Sequence, residues 1–379
     1  MGFPLPSASP GELGLQPEPL ARLCRTIEEH IAEKRYPGAQ IAVARHGKLA
    51  LSRAFGQARI APDAVPACED TLWLLYSNTK VITAAAVWLL VEEGALTFHD
   101  RIADHVPDFA RHGKGEITLL QVLTHQAGFP GAAAPLPTAA FEDHGLMREL
   151  VCDFTLAWTP GSRVEYHRLA AHWVAAMLIE AVTGADFRTF IRERIILPLG
   201  LGDDLYVGLP DALGSRAAEM HAPSPEDGTH ERLTGENSPV FRRAGVPGAG
   251  GFATARALAA FYQMMAAGGS LNGVRLFSPR LVSFVTRNFT AERVDEYMGL
   301  PMHRGLGPHS RGTTEVARGL GTLAHPATFG HGGVGSSYCW ADPASGVSFA
   351  YLTNSRVPDP WHSRRLDIVS GFVHGAIDE

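Results

Sequence analysis

Runs that read as β-strand sit at the two ends of this chain, with helical patterns between them, and that order restricts the possible folds most. Near the start, Ala39–Arg45 and Leu49–Phe55 are strand-like and are joined by His46-Gly47-Lys48, the signature of a hairpin. Near the end, Tyr338–Ala341 and Val347–Thr353 flank the turn Asp342-Pro343-Ala344-Ser345-Gly346. Each pair has a helical pattern beside it. Leu20, Leu23, Ile27 and Ile31 recur at helical spacing within Pro19–Arg35, and Ser363–Ile377 forms the last helix. Strands so far apart in sequence bury their apolar faces most economically in one antiparallel sheet, with the terminal helices on one face. The expected class is therefore α/β of the α+β kind, an antiparallel β-sheet flanked by helices. Residues 1–75 and 245–379 supply the sheet domain, and residues 76–244 form an inserted, mainly helical domain that includes a helix starting at Ser77. That helix is placed on the opposite face of the sheet from the terminal helices, and the site in the cleft between the two parts. Other helices are read at His167–Thr183, closed by Gly184, and at Ala255–Ala267, stopped by Gly268-Gly269.

Bulk properties exclude several classes. A formal charge of −6 and only isolated Arg doublets (Arg242-Arg243, Arg364-Arg365) argue against a nucleic-acid partner. Cys24, Cys68, Cys152 and Cys339 are far apart and read as free thiols, not a metal or redox framework. The first residues lack the basic start and apolar run of a signal peptide, and the most apolar stretch, Val81–Val91, is too short to span a bilayer. A cytoplasmic protein with no membrane partner, metal or cofactor is expected; the oligomeric state is left open.

The chemistry concentrates in three places. Ser77-Asn78-Thr79-Lys80 puts a hydroxyl and an amine one helical turn apart, at a helix N-terminus that favours developing negative charge. The residues that follow, Val81, Ile82, Ala84, Ala85, Ala86, Val87, Trp88, Leu89 and Leu90, leave almost no polar face. Lys80 is therefore expected to be buried, and a buried lysine tends to lose its proton, as a general base must. Tyr166, in Glu165-Tyr166-His167-Arg168 just before a helix, can project a phenol into the cleft; a phenol near a lysine gives up its proton more readily. Arg168 is expected to face outward. Phe329-Gly330-His331-Gly332-Gly333-Val334-Gly335-Ser336-Ser337 reads as a glycine-rich approach to a strand, whose backbone a substrate can reach closely.

In order and spacing these pieces resemble the three motif elements of serine β-lactamases and penicillin-binding proteins. The chain is similar to the class C β-lactamase-like group and, within it, to the family VIII carboxylesterases. Supporting stretches are Leu96-Thr97-Phe98-His99-Asp100, Ile117 through Gly128 and Gly330 through Asn354, so the resemblance covers about Ala39 to Asn354. It implies that Ser77 is the acylated nucleophile, Lys80 its base partner and Tyr166 a partner in the proton work. It also implies that His331, Gly332 and Gly333 line the cleft, and that the backbone N–H groups of Ser77 and Val334 form the oxyanion hole. Two departures stand out. Tyr166-His167-Arg168 replaces the family's Tyr-x-Asn or Tyr-x-Ser, and His331-Gly332-Gly333 replaces Lys-Thr-Gly. Without that lysine, and with a histidine at most partly charged near pH 7, anion recognition weakens and a small neutral ester becomes the expected substrate.

An acyltransferase, a β-lactamase or a D-amino-acid peptidase shares the same acyl-enzyme, and a non-catalytic ligand sensor is a further alternative. An α/β-hydrolase is disfavoured because no Gly-x-Ser-x-Gly occurs. The loops Gly131–Ala140 and Pro301–Thr328 are expected as pocket walls.

Overall fold

The computed structural model describes residues 2–131, 136–224, 226 and 229–378. Its main feature is a seven-stranded antiparallel sheet drawn from both ends of the chain. In spatial order the strands are His309–Ser310, Phe329–Gly333, Ser337–Asp342, Val347–Thr353, Gly38–Arg45, Lys48–Arg59 and Val65–Pro66. The ends join where Ala39–Arg45 pair with Thr353–Val347. The expected hairpin is present. His46 and Gly47 both take positive φ (51° and 75°), the left-handed pair that a two-residue hairpin turn needs.

Side-chain alternation sorts the sheet into two faces. Ile41, Val43, Tyr338, Trp340, Phe349 and Tyr351 form one core with Leu20, Leu23, Ile27, Leu366, Val369 and Val373. Those last six residues come from the terminal helices Pro17–Ala32 and Trp361–His374, as expected. Ala42, Ala44, Cys339, Ala341, Ala350 and Leu352 point the other way into a second, larger core. Here the arrangement differs from expectation. The helix laid along this face is Ala255–Ala266, not the Ser77 helix. Its Ala257, Ala259 and Ala260 are wholly buried, and small residues on both surfaces let helix and sheet approach closely.

The Ser77 helix belongs to the same core and meets the sheet through its N-terminal turn, beside the strands Phe329–Gly333 and Ser337–Asp342. Its α-helical part, Thr79–Glu92, is buried from Thr79 through Leu90, so it runs through the molecule surrounded on all sides. Helix Ala170–Thr183 packs beside it and ends on Gly184, at φ 70°. A small sheet with Gly251–Ala253 between Trp73–Leu74 and Leu205–Val207 stitches the middle third to the residues just before Ser77. All four cysteines are free, and among the described residues no helix is long and apolar enough to cross a membrane. The expected wall Gly131–Ala140 lies partly outside the described residues.

Candidate active site

Ser77 does not open an α-helix directly. It sits in a tight 3-10 turn, Tyr76–Asn78, ahead of the α-helix, because Tyr76 takes a left-handed φ of 45°. A bulky residue there is a strained backbone, and the surroundings hold it in place. Leu75 N–H donates to Gly251 O at 2.9 Å, and Gly251 N–H donates to Thr79 Oγ1 at 2.9 Å. On the opposite side Asn78 Nδ2 donates to Ser337 Oγ at 2.9 Å.

Into this fixed turn the fold brings the other two side chains. Lys80 Nζ is 3.2 Å from Ser77 Oγ, and the Tyr166 hydroxyl donates to the same Oγ at 2.8 Å. Lys80 is 0% exposed, and its Nζ also donates to the carbonyls of Arg168 and Gly248, each at 2.8 Å. A neutral amine has two N–H groups and one lone pair. Two carbonyls take the N–H groups, which leaves the lone pair for the Ser77 proton. The other wholly buried lysine, Lys114, donates to three carbonyls, those of Arg111, Cys152 and Phe154, as suits an ammonium.

The electrostatics agree with that hydrogen-bond pattern. Burial holds Lys80 well below the ordinary lysine range, and the nearby charges of Arg304 and Arg168 push in the same direction. Tyr166 departs from expectation. Burial pushes its phenol up to about 12, against the smaller opposing effects of the Ser77 hydrogen bond and Arg304. The phenol therefore keeps its proton at rest and is a donor. Arg168 is exposed, and it is its backbone carbonyl that meets Lys80.

The third element is itself a strand, where a glycine-rich approach to a strand was expected. Phe329–Gly333 pairs with Ala341–Ser337. Its glycines admit the neighbouring strand closely: a Cβ on Gly330 would run into Cys339 O and lie 2.8 Å from Trp340 Cβ, and one on Gly332 would lie 2.8 Å from Tyr338 Cδ2 in the ring. Gly333 faces the other way, where a Cβ would lie 2.6 Å from Leu75 O and 2.5 Å from Ser337 Oγ. Gly333→Ala is therefore expected to displace the Ser77 turn and cost about 1–3 kcal/mol of stability, measured by denaturant unfolding. Val334 follows in the turn after the strand, with its side chain exposed. His331 is 4% exposed and is pushed down to about 3, mainly by burial and to a smaller extent by the Arg304 guanidinium. The expected partial charge is thus absent near pH 7, and its Nδ1–H donates to Gly332 O at 2.8 Å.

Several residues around Tyr166 were not singled out in the sequence. His125 packs on the phenol ring with centroids 4.7 Å apart, and its Nδ1 accepts the His167 N–H at 3.1 Å. His167, the residue between Tyr166 and Arg168, turns away to accept the Phe129 N–H at 3.1 Å. Asp295 and Arg304 form a buried ion pair of 2.6 Å behind the same ring. Gly248 passes so near Lys80 that a Cβ would lie 3.1 Å from Nζ. No short-range pattern marks His125, Gly248, Asp295 or Arg304, because each comes from a segment distant from Tyr166. Only the Thr-His-Gln-Ala-Gly run around His125 carried a hint, through the family resemblance. Among the described residues, His144, Glu180 and Asp186 bring possible metal ligands within 4.8 Å of one another. Those carboxylates already hold the backbone N–H groups of Phe187, Arg188 and Thr189 and the guanidinium of Arg188.

A serine hydroxyl held between a buried amine and a phenol, on a fold of this layout, defines the serine β-lactamase-like class. The chain belongs to the beta-lactamase family, whose model matches residues 23–370. It is 30% identical over 377 residues to the esterase/beta-lactamase LipL of Mycobacterium tuberculosis, covering 92% of this chain and 84% of that one. A solved family VIII carboxylesterase superimposes with a TM-score of 0.82 at 29% identity, covering 96% and 99% of the two chains. A penicillin-binding protein homologue from Caulobacter crescentus gives 0.79 at 29% identity, covering 95% and 99%. The protein is thus a serine hydrolase of this superfamily.

Proposed function

We propose that this enzyme is a carboxylesterase of the family VIII kind that cleaves small neutral esters through an acyl-enzyme on Ser77. The observation that carries this reading is that Ser77 Oγ accepts the Tyr166 hydroxyl at 2.8 Å and lies 3.2 Å from Lys80 Nζ. In acylation the Ser77 proton passes to Lys80 as Oγ attacks the ester carbonyl. The N–H groups of Ser77 and Val334 hold the resulting oxyanion. Tyr166 gives its proton to the departing alcohol and regains one from the Lys80 ammonium. Water then repeats the sequence, releasing the acid and restoring the Ser77 hydroxyl. Positioned proton transfer of this kind contributes roughly 10²–10⁴-fold.

Two features favour a neutral, partly apolar ester. His331 is uncharged where the β-lactamases place a lysine. Tyr297, whose ring lies 5.9 Å from that of Tyr166, is half exposed, as is Val334, which gives an apolar substituent a surface beside the nucleophile. The direct test is intact mass spectrometry after exposure to a fluorophosphonate, with the adduct mapped by peptide. A label on Ser77 together with hydrolysis of a short-chain aryl ester supports the reading, and an unlabelled Ser77 refutes it. A chromogenic cephalosporin, whose carboxylate meets no lysine at position 331, is expected to turn over at least about 100-fold less efficiently by kcat/KM. Efficient turnover there would overturn the esterase assignment.

A further inference from the structure

The wall behind Tyr166 carries a fixed cation that the proton transfers above do not use. Arg304 is 3% exposed and Asp295 0%. Arg304 Nη2 and Nε donate to Asp295 Oδ2 at 2.6 and 3.1 Å, and the guanidinium carbon stands 4.6 Å from the centroid of the Tyr166 ring. Asp295 ties the pair to the catalytic chain, because its Oδ1 accepts the Tyr166 N–H at 3.1 Å and the Tyr297 N–H at 3.1 Å. On the other side of the guanidinium's reach, Lys80 Nζ lies 5.0 Å from the same ring centroid.

We propose that Arg304, locked by Asp295 against Tyr166, is a positioning residue that adds to burial in keeping Lys80 unprotonated and steadies the phenol when it releases its proton. The inference rests on the reading of Ser77, Lys80 and Tyr166 as the reacting groups. Its physical basis is short. A cation that cannot leave disfavours a second one nearby, and the same cation over a ring favours negative charge on that ring's oxygen. The charged and titratable groups facing Lys80 are Arg304, Arg168, Tyr166, His125, His172 and His331. The histidines are buried and held neutral, and Asp295 is engaged by Arg304. Arg168 is exposed and water-screened, which leaves Arg304 as the buried charge that acts on the amine.

The chain has four lysines, Lys34, Lys48, Lys80 and Lys114, so isotope-labelled lysine gives four side-chain NMR signals in wild type and the double variant, and a fifth in Arg304→Lys. The test compares wild type, Arg304→Lys and the double variant Arg304→Met/Asp295→Asn, which removes both charges and leaves no orphaned ion. In the double variant the Lys80 signal is expected to titrate at higher pH than in wild type. The acid limb of kcat/KM for a neutral aryl ester moves upward with it, and kcat falls about tenfold. Arg304→Lys keeps the charge and is expected to hold the acid limb near its wild-type place. An unchanged Lys80 midpoint in a double variant with native circular dichroism overturns the proposal and reduces the pair to packing. A midpoint that moves while Ser77 in wild type takes no fluorophosphonate instead refutes the catalytic reading and leaves the electrostatic coupling standing.

Discussion

Replacing Ser77 by alanine is expected to lower kcat/KM for a short-chain aryl ester by about 10⁴-fold or more, while the fold stays intact. The hydroxyl is the acceptor of the Tyr166 O–H at 2.8 Å and the neighbour of Lys80 Nζ at 3.2 Å, so its loss removes the bond-forming atom and nothing else of comparable reach replaces it. The Lys80 amine keeps its two carbonyl partners in the variant, and the helix behind it is anchored by Thr79 and Thr83 through their bonds to Gly251 and Pro247. Stability should therefore change by only about 1 kcal/mol, the value of one hydrogen bond. Rates at several enzyme concentrations, together with loss of the fluorophosphonate adduct, check the prediction. Turnover close to that of wild type would show that the ester is cleaved elsewhere.

Lys80→Met is the second large effect. Methionine fills the same apolar channel without an amine, so the Ser77 proton has no acceptor and kcat is expected to fall by about 10³-fold, within the range for a positioned base. The pH dependence fixes the sign. The amine is held well below the ordinary lysine value by burial, and it acts only when unprotonated. In wild type kcat/KM should rise with pH through that depressed value and reach a plateau. In Lys80→Met this limb should vanish along with the activity. Stability follows the same group in a defined direction. Between the depressed folded value and the ordinary one, the unfolded chain binds a proton that the folded chain does not, so the contribution of Lys80 to stability rises with pH across that window. A Lys80→Met enzyme that keeps the acid limb and most of its kcat would remove the lysine from the mechanism.

The elements that sequence patterning located are those with a strong local period. The hairpin at His46-Gly47, the terminal helices and the strand Val347–Thr353 all appear close to where their residues point, because alternation and helical spacing respond to one buried face. Two elements differ for reasons outside any local window. Phe329–Gly333 is a strand because it pairs with Ala341–Ser337, where Gly330 leaves room for the Cys339–Trp340 backbone and Gly332 for the Tyr338 ring, and glycines alone give no strand signal. Helix Ala255–Ala266 covers the sheet because its buried alanines meet Ala42, Ala44 and Ala350, a fit that depends on surfaces distant in sequence.

The chain's own residues placed Ser77 one turn from Lys80 and announced that Lys80 is buried, since an otherwise apolar helix leaves that lysine nowhere else to go; the resemblance of its motifs joined Tyr166 to them. Which proton each group holds was decided by packing. Tyr166 keeps its proton, and His331 is uncharged, because both are enclosed on every side. The Arg304–Asp295 pair exists as a neighbour of that phenol only once the segment 295–304 folds across it. Proton affinity depends on the whole shell of burial and charge around an atom, and that shell is assembled from segments over two hundred residues apart, as Lys80 and Arg304 are.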